Sequence, residues 1–425
     1  MLSGMALHNR DFAHTRMRQR SERRFIYNVA AEGVADGLGR ALIPIVAVTT
    51  LDAGTGLVGI LNSLGLAAFL FLSSPLGAKA DRIGSPLSFM STGTLLRAGI
   101  AGVLGLAGLA NLMLGNAGFI FLTVATLLIS IFDVVYTTGQ GLLVPRLVGQ
   151  ERVRQMMGRA QTAAQGAGFL SPLLLSIALL HFAPQNLWWL VCIAYLTSLL
   201  FQRGIDAPNN ETVEAGKRTR MVQGYAVIFQ HPVLRNITLA NLLNNAAVMA
   251  ANTLLPVIAL NTLGLSPAAY AGLGAVGALS GVAGAASASS LTSRFGLRKI
   301  RVSAALLLAL SIALVLNAGV VTSLLPGPSI LWIGINSGVA GLCTAVAMVA
   351  GSDLPPAFAP PEQLGATLGA MRTITLGIMP FAALAAGAIG TWWGIKWACL
   401  TWLLLALLAT VPCLRLPRRA ISLAN

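Results

Sequence analysis

The chain has 425 residues, of which 56% are hydrophobic and 10% are charged, and its mean hydropathy is +0.78. Soluble globular domains carry about 25% charged residues, so this composition excludes an ordinary soluble protein. The net charge is +15, but the basic residues fall in short clusters between apolar segments. That distribution is typical of membrane-protein loops rather than of nucleic-acid binding, and it predicts the lipid bilayer as the surrounding medium.

Twelve apolar segments are long enough to be membrane spans, at about 20 residues per span. The sequence therefore predicts an all-α integral membrane protein with twelve transmembrane helices in two six-helix bundles. The predicted spans are 25–48, 55–76, 87–110, 118–143, 160–182, 187–202, 236–260, 268–290, 302–325, 329–350, 367–390 and 393–413.

The lysine and arginine residues set the expected orientation. With the N-terminus inside, 25 of the 28 basic residues fall in the tails, in loops on the inner side or, for Arg372, at the inner end of a span, as the positive-inside rule requires. Both termini are therefore predicted to be cytoplasmic. The expected organisation is a basic cytoplasmic tail (1–24), a first bundle (25–202), a cytoplasmic linker with an amphipathic segment (203–235), a second bundle (236–413) and a cytoplasmic tail (414–425).

The first predicted span carries charge. Glu32, Asp36 and Arg40 are spaced four residues apart, and Asn28 extends the same helical face by one turn. Intramembrane charges usually face a protein interior or a wet cavity, so we expect this stripe to line a pathway. A carboxyl group shielded from water binds a proton more readily, which makes Glu32 and Asp36 candidates for proton coupling. The alternative is a structural pair in which Arg40 neutralises Asp36.

A second charged pair is expected from Arg97 in the third span and Asp133 in the fourth. Consecutive helices can bring these two side chains together, as a structural or gating ion pair. Intramembrane amides form a further group that either binds a polar substrate or joins neighbouring helices. As a set they predict a mixed polar and apolar cavity, lined from the first, fourth, fifth and seventh spans. They are Gln140, Gln161, Gln165, Asn244 and Asn245.

The chain contains an internal repeat. The stretch from Gly77 to Gly84 recurs as Ser289 to Gly296, offset by 212 positions, and both copies join equivalent spans. The same orientation in both halves indicates parallel repeats about an axis normal to the membrane.

The first copy, Gly77-Ala-Lys-Ala-Asp81-Arg82-Ile-Gly84, resembles the signature loop of major facilitator transporters, although Ser85 and Pro86 stand where two basic residues usually follow. The resemblance implies a cytoplasmic gate, in which Asp81 accepts backbone donors or pairs with an arginine of a neighbouring loop. The implied gate residues are Gly77, Asp81, Arg82, Gly84, Arg146, Arg294 and Gly296.

Three further stretches resemble bacterial drug and siderophore exporters of the enterobactin and macrolide type. These stretches begin at Leu143, Gly224 and Glu362. The resemblance implies a monomer in the bacterial inner membrane. One departure concerns helix five, where the glycine-proline cluster frequent in antiporters is reduced to Gly166, Gly168 and Ser171-Pro172.

We therefore expect a secondary transporter that exports a small amphipathic molecule, such as a drug, siderophore or metabolite, against protons. Uptake of a siderophore or metabolite is the first alternative, and a non-transporting sensor or assembly partner is the second. No nucleophile motif and no zinc or redox spacing occurs in the sequence. An enzyme, a cofactor and a metal site are therefore not expected.

Overall fold

A computed structural model describes residues 2–80, 85–149, 152–206, 221–320, 326–360 and 363–417. Within these ranges the chain is helical and contains no strand. The helices are α1 (Leu2–Leu51), α2 (Thr55–Ala80), α3 (Pro86–Leu109), α4 (Gly115–Val148), α5 (Val153–Gly168), α6 (Leu170–Ala178), α7 (Trp188–Gln202), α8 (Met221–Gln230), α9 (Pro232–Val257), α10 (Pro267–Phe295), α11 (Leu297–Val315), α12 (Ser329–Val349), α13 (Leu354–Phe358), α14 (Leu364–Trp392), α15 (Ile395–Leu408) and α16 (Thr410–Leu414).

Eleven of the described helical segments are long and apolar enough to cross a bilayer. The remaining predicted span, 160–182, is occupied by α5 and α6, which are separated only at Phe169. Pro172 lies just after this point and has no N–H to continue the helical ladder, which explains a bend here. The all-helical architecture with membrane-spanning segments that the sequence predicts is confirmed.

Local sequence signals explain where several helices begin. Ser85 and Ser266 cap α3 and α10 by accepting a hydrogen bond from a backbone N–H three residues later, and a proline follows each serine. A capping serine followed by proline is a strong helix start. The turn between α10 and α11 is the single residue Gly296, whose φ of 84° is open to glycine at little cost.

The chain divides into two compact units. Unit 1 comprises Met1–Val46 and Ala67–Glu214, and unit 2 comprises Ala47–Leu66 and Ala215–Asn425. Within unit 1, a side chain at Gly33 would meet the Ala164 carbonyl oxygen at 2.3 Å, and one at Gly93 would meet the Phe132 carbonyl oxygen at 2.8 Å. Glycine is therefore what allows α1 to approach α5 and α3 to approach α4 at backbone distance.

Unit 2 is also built on close helix crossings. Gly341 of α12 lies against Gly277 of α10, and α8 packs against α14 where Gly224 faces the Ala366 backbone. Its apolar core includes Leu254, Ile312 and Trp402, all nearly inaccessible to solvent. The four cysteines of the chain are buried and free, in keeping with a packing role.

Arg301 of α11 is a buried charge in unit 2. Its guanidinium donates to the Ala347 carbonyl oxygen and, at 2.6 Å, to Asn241 Oδ1. Ala347 lies in the last turn of α12, so the positive charge also meets the negative end of that helix dipole.

The glycine contacts give a prediction for stability. A methyl group at Gly341 would lie 2.0 Å from the Gly277 carbonyl oxygen, whereas one at Gly338 would lie 3.4 Å from its nearest neighbour, Ser280 Oγ. Gly341→Ala should lower the free energy of unfolding by about 1–3 kcal/mol through overpacking, and Gly338→Ala should change it little. Thermal unfolding in detergent measures both, and equal melting temperatures for the two variants would contradict the close crossing.

Candidate functional site

A single buried arginine lies at the centre of the charged residues of unit 1. The Arg97 side chain is 0% exposed, and its Nη2 donates to Glu32 Oε2 at 2.6 Å. Its Nη1 lies 3.2 Å from both Asp36 Oδ1 and Asp133 Oδ1. The charged stripe of the first span and the pair between the third and fourth spans therefore form one cluster rather than two.

Helix packing places these groups together. Glu32 and Asp36 are one turn apart on α1, so both carboxylates point to the same side. Gly93, one turn before Arg97, allows α3 to approach α4 so closely that an added methyl group would meet the Tyr136 backbone nitrogen at 2.9 Å. That approach brings Asp133 of α4 within reach of Arg97.

Neutral polar side chains surround Glu32. Its Oε1 accepts hydrogen bonds from Thr94 Oγ1 at 2.7 Å and from Ser198 Oγ at 2.8 Å. Gln202 Nε2 donates to Thr94 Oγ1 at 2.9 Å. Asn28 Nδ2 donates to Ser198 Oγ at 2.6 Å. These bonds satisfy a carboxylate that is only 3% exposed, which offsets part of the cost of its burial.

Two tyrosines complete the surroundings of the guanidinium. The carbon of the Arg97 guanidinium lies 4.8 Å from the ring centre of Tyr136 and 4.7 Å from that of Tyr195. Both distances are within the range of cation–π attraction. The Tyr195 hydroxyl also donates to Asp36 Oδ1 at 2.9 Å. The cation is thus held by aromatic faces as well as by carboxylates.

The three carboxyl groups differ in access to solvent. The side chain of Glu32 is 3% exposed, that of Asp36 is 26% exposed, and that of Asp133 is 39% exposed. Glu32 is therefore sealed among hydrogen-bond donors, while Asp36 and Asp133 each keep an open side. Such an arrangement separates one enclosed carboxyl group from two that a ligand or water can reach.

The charges of the cluster do not cancel when every group is ionised. Three carboxylates contact one guanidinium, and adding the nearby Arg40 still leaves one more acid than base. An uncompensated charge away from water is costly. Binding of a proton or of a cationic group by one carboxylate removes that cost, so the cluster is suited to such binding.

Arg40 does not pair with the Asp36 carboxylate, as the structural alternative expected. Its Nε donates to the backbone carbonyl oxygen of Asp36 at 3.2 Å, and its side chain is exposed. The ion-pair partner of the Asp36 carboxylate is Arg97. Sequence spacing alone favoured Arg40 because it lies one turn away on the same helix, whereas Arg97 is 61 positions distant.

The candidate cavity amides occupy both units. In unit 1, Gln140 is half-buried on α4, and Gln161 and Gln165 are exposed on one face of α5. In unit 2, Asn244 and Asn245 are half-buried on α9, and Asn245 Nδ2 donates to the Thr375 carbonyl oxygen of α14 at 2.9 Å. Asn245 thus joins two helices, and a role of the other four in substrate binding stays a prediction.

The predicted gate is only partly visible. Asp81, Arg82 and Gly84 lie outside the described residues, and for Gly77 the structure describes only its place in the last turns of α2. Arg146 lies in the last turn of α4 and is half-buried. Arg294 is exposed in the last turn of α10, with its guanidinium carbon 5.3 Å from the Phe295 ring centre.

Several residues of the site were not identified from the sequence. They are Thr94, Tyr136, Tyr195, Ser198 and Gln202. A signal existed for three of them, since Tyr195, Ser198 and Gln202 follow one another at spacings of three and four in an otherwise apolar span. Such spacing places polar groups on one helical face. Thr94 and Tyr136 carry no comparable pattern, because single threonine and tyrosine residues are common in membrane helices.

The cluster predicts how the charges depend on one another. Replacing Arg97 by Gln leaves three carboxyl groups without their shared partner and should lower the free energy of unfolding by about 3–5 kcal/mol. Adding Glu32→Gln should recover part of that loss. The matched control is Arg40→Gln, which removes an exposed charge and should cost less than about 1 kcal/mol. Unfolding in detergent measures all three, and equal losses for Arg97→Gln and Arg40→Gln would contradict the central position of Arg97.

Comparison with known proteins adds the family. No curated protein sequence is significantly similar to the chain. Solved structures similar in fold include the nucleoside transporter NupG (TM-score 0.68, 13% identity, covering 93% of this chain and 97% of that one). A bacterial homolog of the human lysosomal transporter Spinster (0.66, 13%, 93% and 96%) and a bacterial homologue of the iron transporter ferroportin (0.65, 16%, 94% and 98%) are also similar. The model of the Major Facilitator Superfamily matches residues 29–340, and the chain therefore belongs to that superfamily.

Proposed function

We propose that this protein is a proton-coupled exporter of a small amphipathic molecule and works by alternating access. The supporting observation is the cluster of unit 1, in which three carboxyl groups share the buried guanidinium of Arg97. A membrane transporter needs a group that binds and releases its coupling ion during each cycle. An excess of acids around one fixed cation meets that need.

The three acids are proposed to have different roles because their exposed fractions differ. Glu32 is enclosed and takes the proton, while Asp36 and Asp133 are open and face the substrate path. When Glu32 is ionised it holds Arg97 at 2.6 Å. When Glu32 is protonated this attraction is lost, and Arg97 is left to neutralise Asp36 and Asp133. A proton at Glu32 and a cationic substrate at the two aspartates thereby compete for the same excess negative charge of the cluster.

The proposed substrate carries an apolar body and a polar or cationic group. A cationic group would complete the charge balance at Asp36 and Asp133, and the amides on α4 and α5 would bind further polar atoms. The similar structures carry names of nucleoside and iron transporters. With identities of 13–16% they support the transporter fold and select no substrate among drugs, siderophores and metabolites.

The remaining parts of the proposal follow from the sequence motifs. A monomer in the bacterial inner membrane fits the resemblance to drug and siderophore exporters. Asp81 and Arg82 are proposed to latch the cytoplasmic side, with Arg146 as a partner in a neighbouring loop. Uptake of a siderophore or metabolite, and a sensor that transports nothing, are the outcomes against which export is tested.

The test uses everted membrane vesicles that hold a pH gradient. Cationic drugs, macrolides and siderophores are added one at a time, and release of protons is followed with a pH-sensitive dye. We expect at least one compound to dissipate the gradient with the wild-type protein, and Glu32→Gln to reduce this response at least tenfold. Asp36→Asn should weaken it as well. Asp353→Asn is the matched control, because Asp353 is exposed in the turn before α13 and belongs to unit 2.

Each contrary outcome has a distinct meaning. If a transported compound moves with unchanged proton flux in Glu32→Gln and Asp36→Asn, the acids are structural and the coupling proposal is wrong. If protons move only when the compound is supplied on the opposite side, the protein is an uptake permease. If no compound moves while a ligand binds tightly, a sensing role replaces transport.

A further inference from the structure

We infer that the Thr94 hydroxyl is a two-position hydrogen-bond switch that keeps Glu32 satisfied in both its ionised and its protonated form. The inference rests on the proposed role of Glu32 as the proton-binding group, and it assigns a positioning residue to that role. It follows from the direction of each hydrogen bond around the carboxyl group.

The contacts of Glu32 are few and well defined. They are Arg97 at Oε2, and the hydroxyl groups of Thr94 and Ser198 at Oε1. All three donate in the arrangement observed, which suits an ionised carboxylate. A protonated carboxyl group has an O–H of its own and needs an acceptor. Arginine has no acceptor, so the acceptor must be one of the two hydroxyl groups.

Ser198 is committed to donating. Asn28 Nδ2 lies 2.6 Å from Ser198 Oγ and 3.3 Å from the Ser198 carbonyl oxygen, which can only accept. The Tyr136 hydroxyl lies 3.1 Å from the other amide atom, Asn28 Oδ1. These contacts fix the orientation of the Asn28 amide. Ser198 Oγ therefore accepts from Asn28 and, at 3.4 Å, from Gln202 Nε2. These two donors occupy both of its lone pairs, and its own hydrogen points to Glu32.

The Thr94 hydroxyl has a second acceptor for its hydrogen. Its Oγ1 lies 2.7 Å from Glu32 Oε1 and also 3.3 Å from the Met90 carbonyl oxygen, one turn earlier on α3. Threonine hydroxyl groups in helices commonly donate to the carbonyl four residues before. Rotation of one hydrogen about the Cβ–Oγ bond thus moves the Thr94 donor from Glu32 to Met90 without moving a heavy atom.

Protonation of Glu32 changes the direction of two hydrogen bonds. Glu32 binds one proton from water at Oε1, and its new O–H donates to Thr94 Oγ1. The Thr94 hydrogen turns to the Met90 carbonyl oxygen, and Thr94 keeps its own proton. Gln202 Nε2 continues to donate to Thr94 Oγ1 at 2.9 Å. Glu32, Thr94 and Ser198 thus keep a hydrogen-bond partner in both states, so the penalty for leaving one of them unpaired is avoided.

The other charged and titratable groups around Glu32 cannot replace this switch. Asp36 lies one turn further along α1, and Asp133 and Tyr136 approach from α4. The Tyr195 hydroxyl of α7 already donates to Asp36. These groups act on Glu32 through Arg97 or through space, while Thr94 both touches the carboxyl group and can accept from it.

The test is infrared difference spectroscopy of the purified full-length protein in lipid vesicles, titrated with acid and base. Glu32→Gln identifies the carboxylic-acid C=O band of Glu32. Ser198→Ala removes a donor that binds the ionised carboxylate more strongly than the neutral acid, so half-protonation of Glu32 should move to higher pH by about one unit or more. Thr94→Val removes a donor from the ionised form and an acceptor from the protonated form, so the midpoint should move less than half as far.

The band position separates a switch from a simple donor. In Thr94→Val the O–H of protonated Glu32 loses its acceptor, and the C=O band should move to higher frequency. Thr94→Ser keeps the hydroxyl group and should restore both the band and the midpoint of the wild type, which also controls for misfolding. Two results would overturn the inference. One is a midpoint in Thr94→Val displaced as far as in Ser198→Ala with the band unmoved, and the other is a spectrum unchanged from wild type.

This experiment needs no substrate and no flux, so its result is separate from that of the vesicle assay. Loss of proton-coupled flux in Glu32→Gln tests the proposed function. The behaviour of Thr94→Val tests the switch, whichever direction of transport holds.

Discussion

The interaction on which the site depends is the contact of one buried guanidinium with three carboxyl groups. Arg97 is inaccessible to solvent and lies within 3.2 Å of Glu32, Asp36 and Asp133. Burial of a charge is tolerated only when it is paired and hydrogen-bonded. Arg97 therefore requires the acids, and the acids in turn require more positive charge than Arg97 provides. That mismatch makes protonation or cation binding part of the stability of unit 1.

Glycine makes this contact possible. A guanidinium on α3 meets an acid of α4 only if the two backbones approach closely, and Gly93 provides that approach. The same residues that bring helices together therefore determine which charges meet. Helix packing therefore controls the electrostatics of unit 1, since a larger residue at Gly93 would separate Asp133 from Arg97.

Much of the fold could be predicted from the sequence, because apolar segments of spanning length and the distribution of arginine and lysine follow directly from bilayer physics. The individual charged residues were also evident, since Glu32, Asp36, Arg97 and Asp133 interrupt apolar segments. Their partners were not. Spacing along one helix favoured Arg40 as the neighbour of Asp36, whereas the partner is on another helix. Which helix faces meet is decided by tertiary packing, and a single sequence does not contain that information directly.

Each unit contains a buried arginine, and the two arginines have different partners. The difference indicates where a carboxyl group can exchange a proton. The contacts of Arg301 in unit 2 are with Asn241 Oδ1, a carbonyl oxygen at the end of α12 and the Cys413 thiol, and no carboxylate pairs with it among the described residues. These contacts serve to fix α11 against α9 and α12. Beyond residue 215 the sequence has two acids, Asp353 and Glu362. Asp353 is exposed in the turn before α13, near the end of the apolar segment Ser329–Phe358. Arg97 instead meets three groups that can each gain or lose a proton. Among the described residues, the carboxyl groups that share a buried arginine therefore lie in unit 1, and the proposed proton exchange is assigned to them.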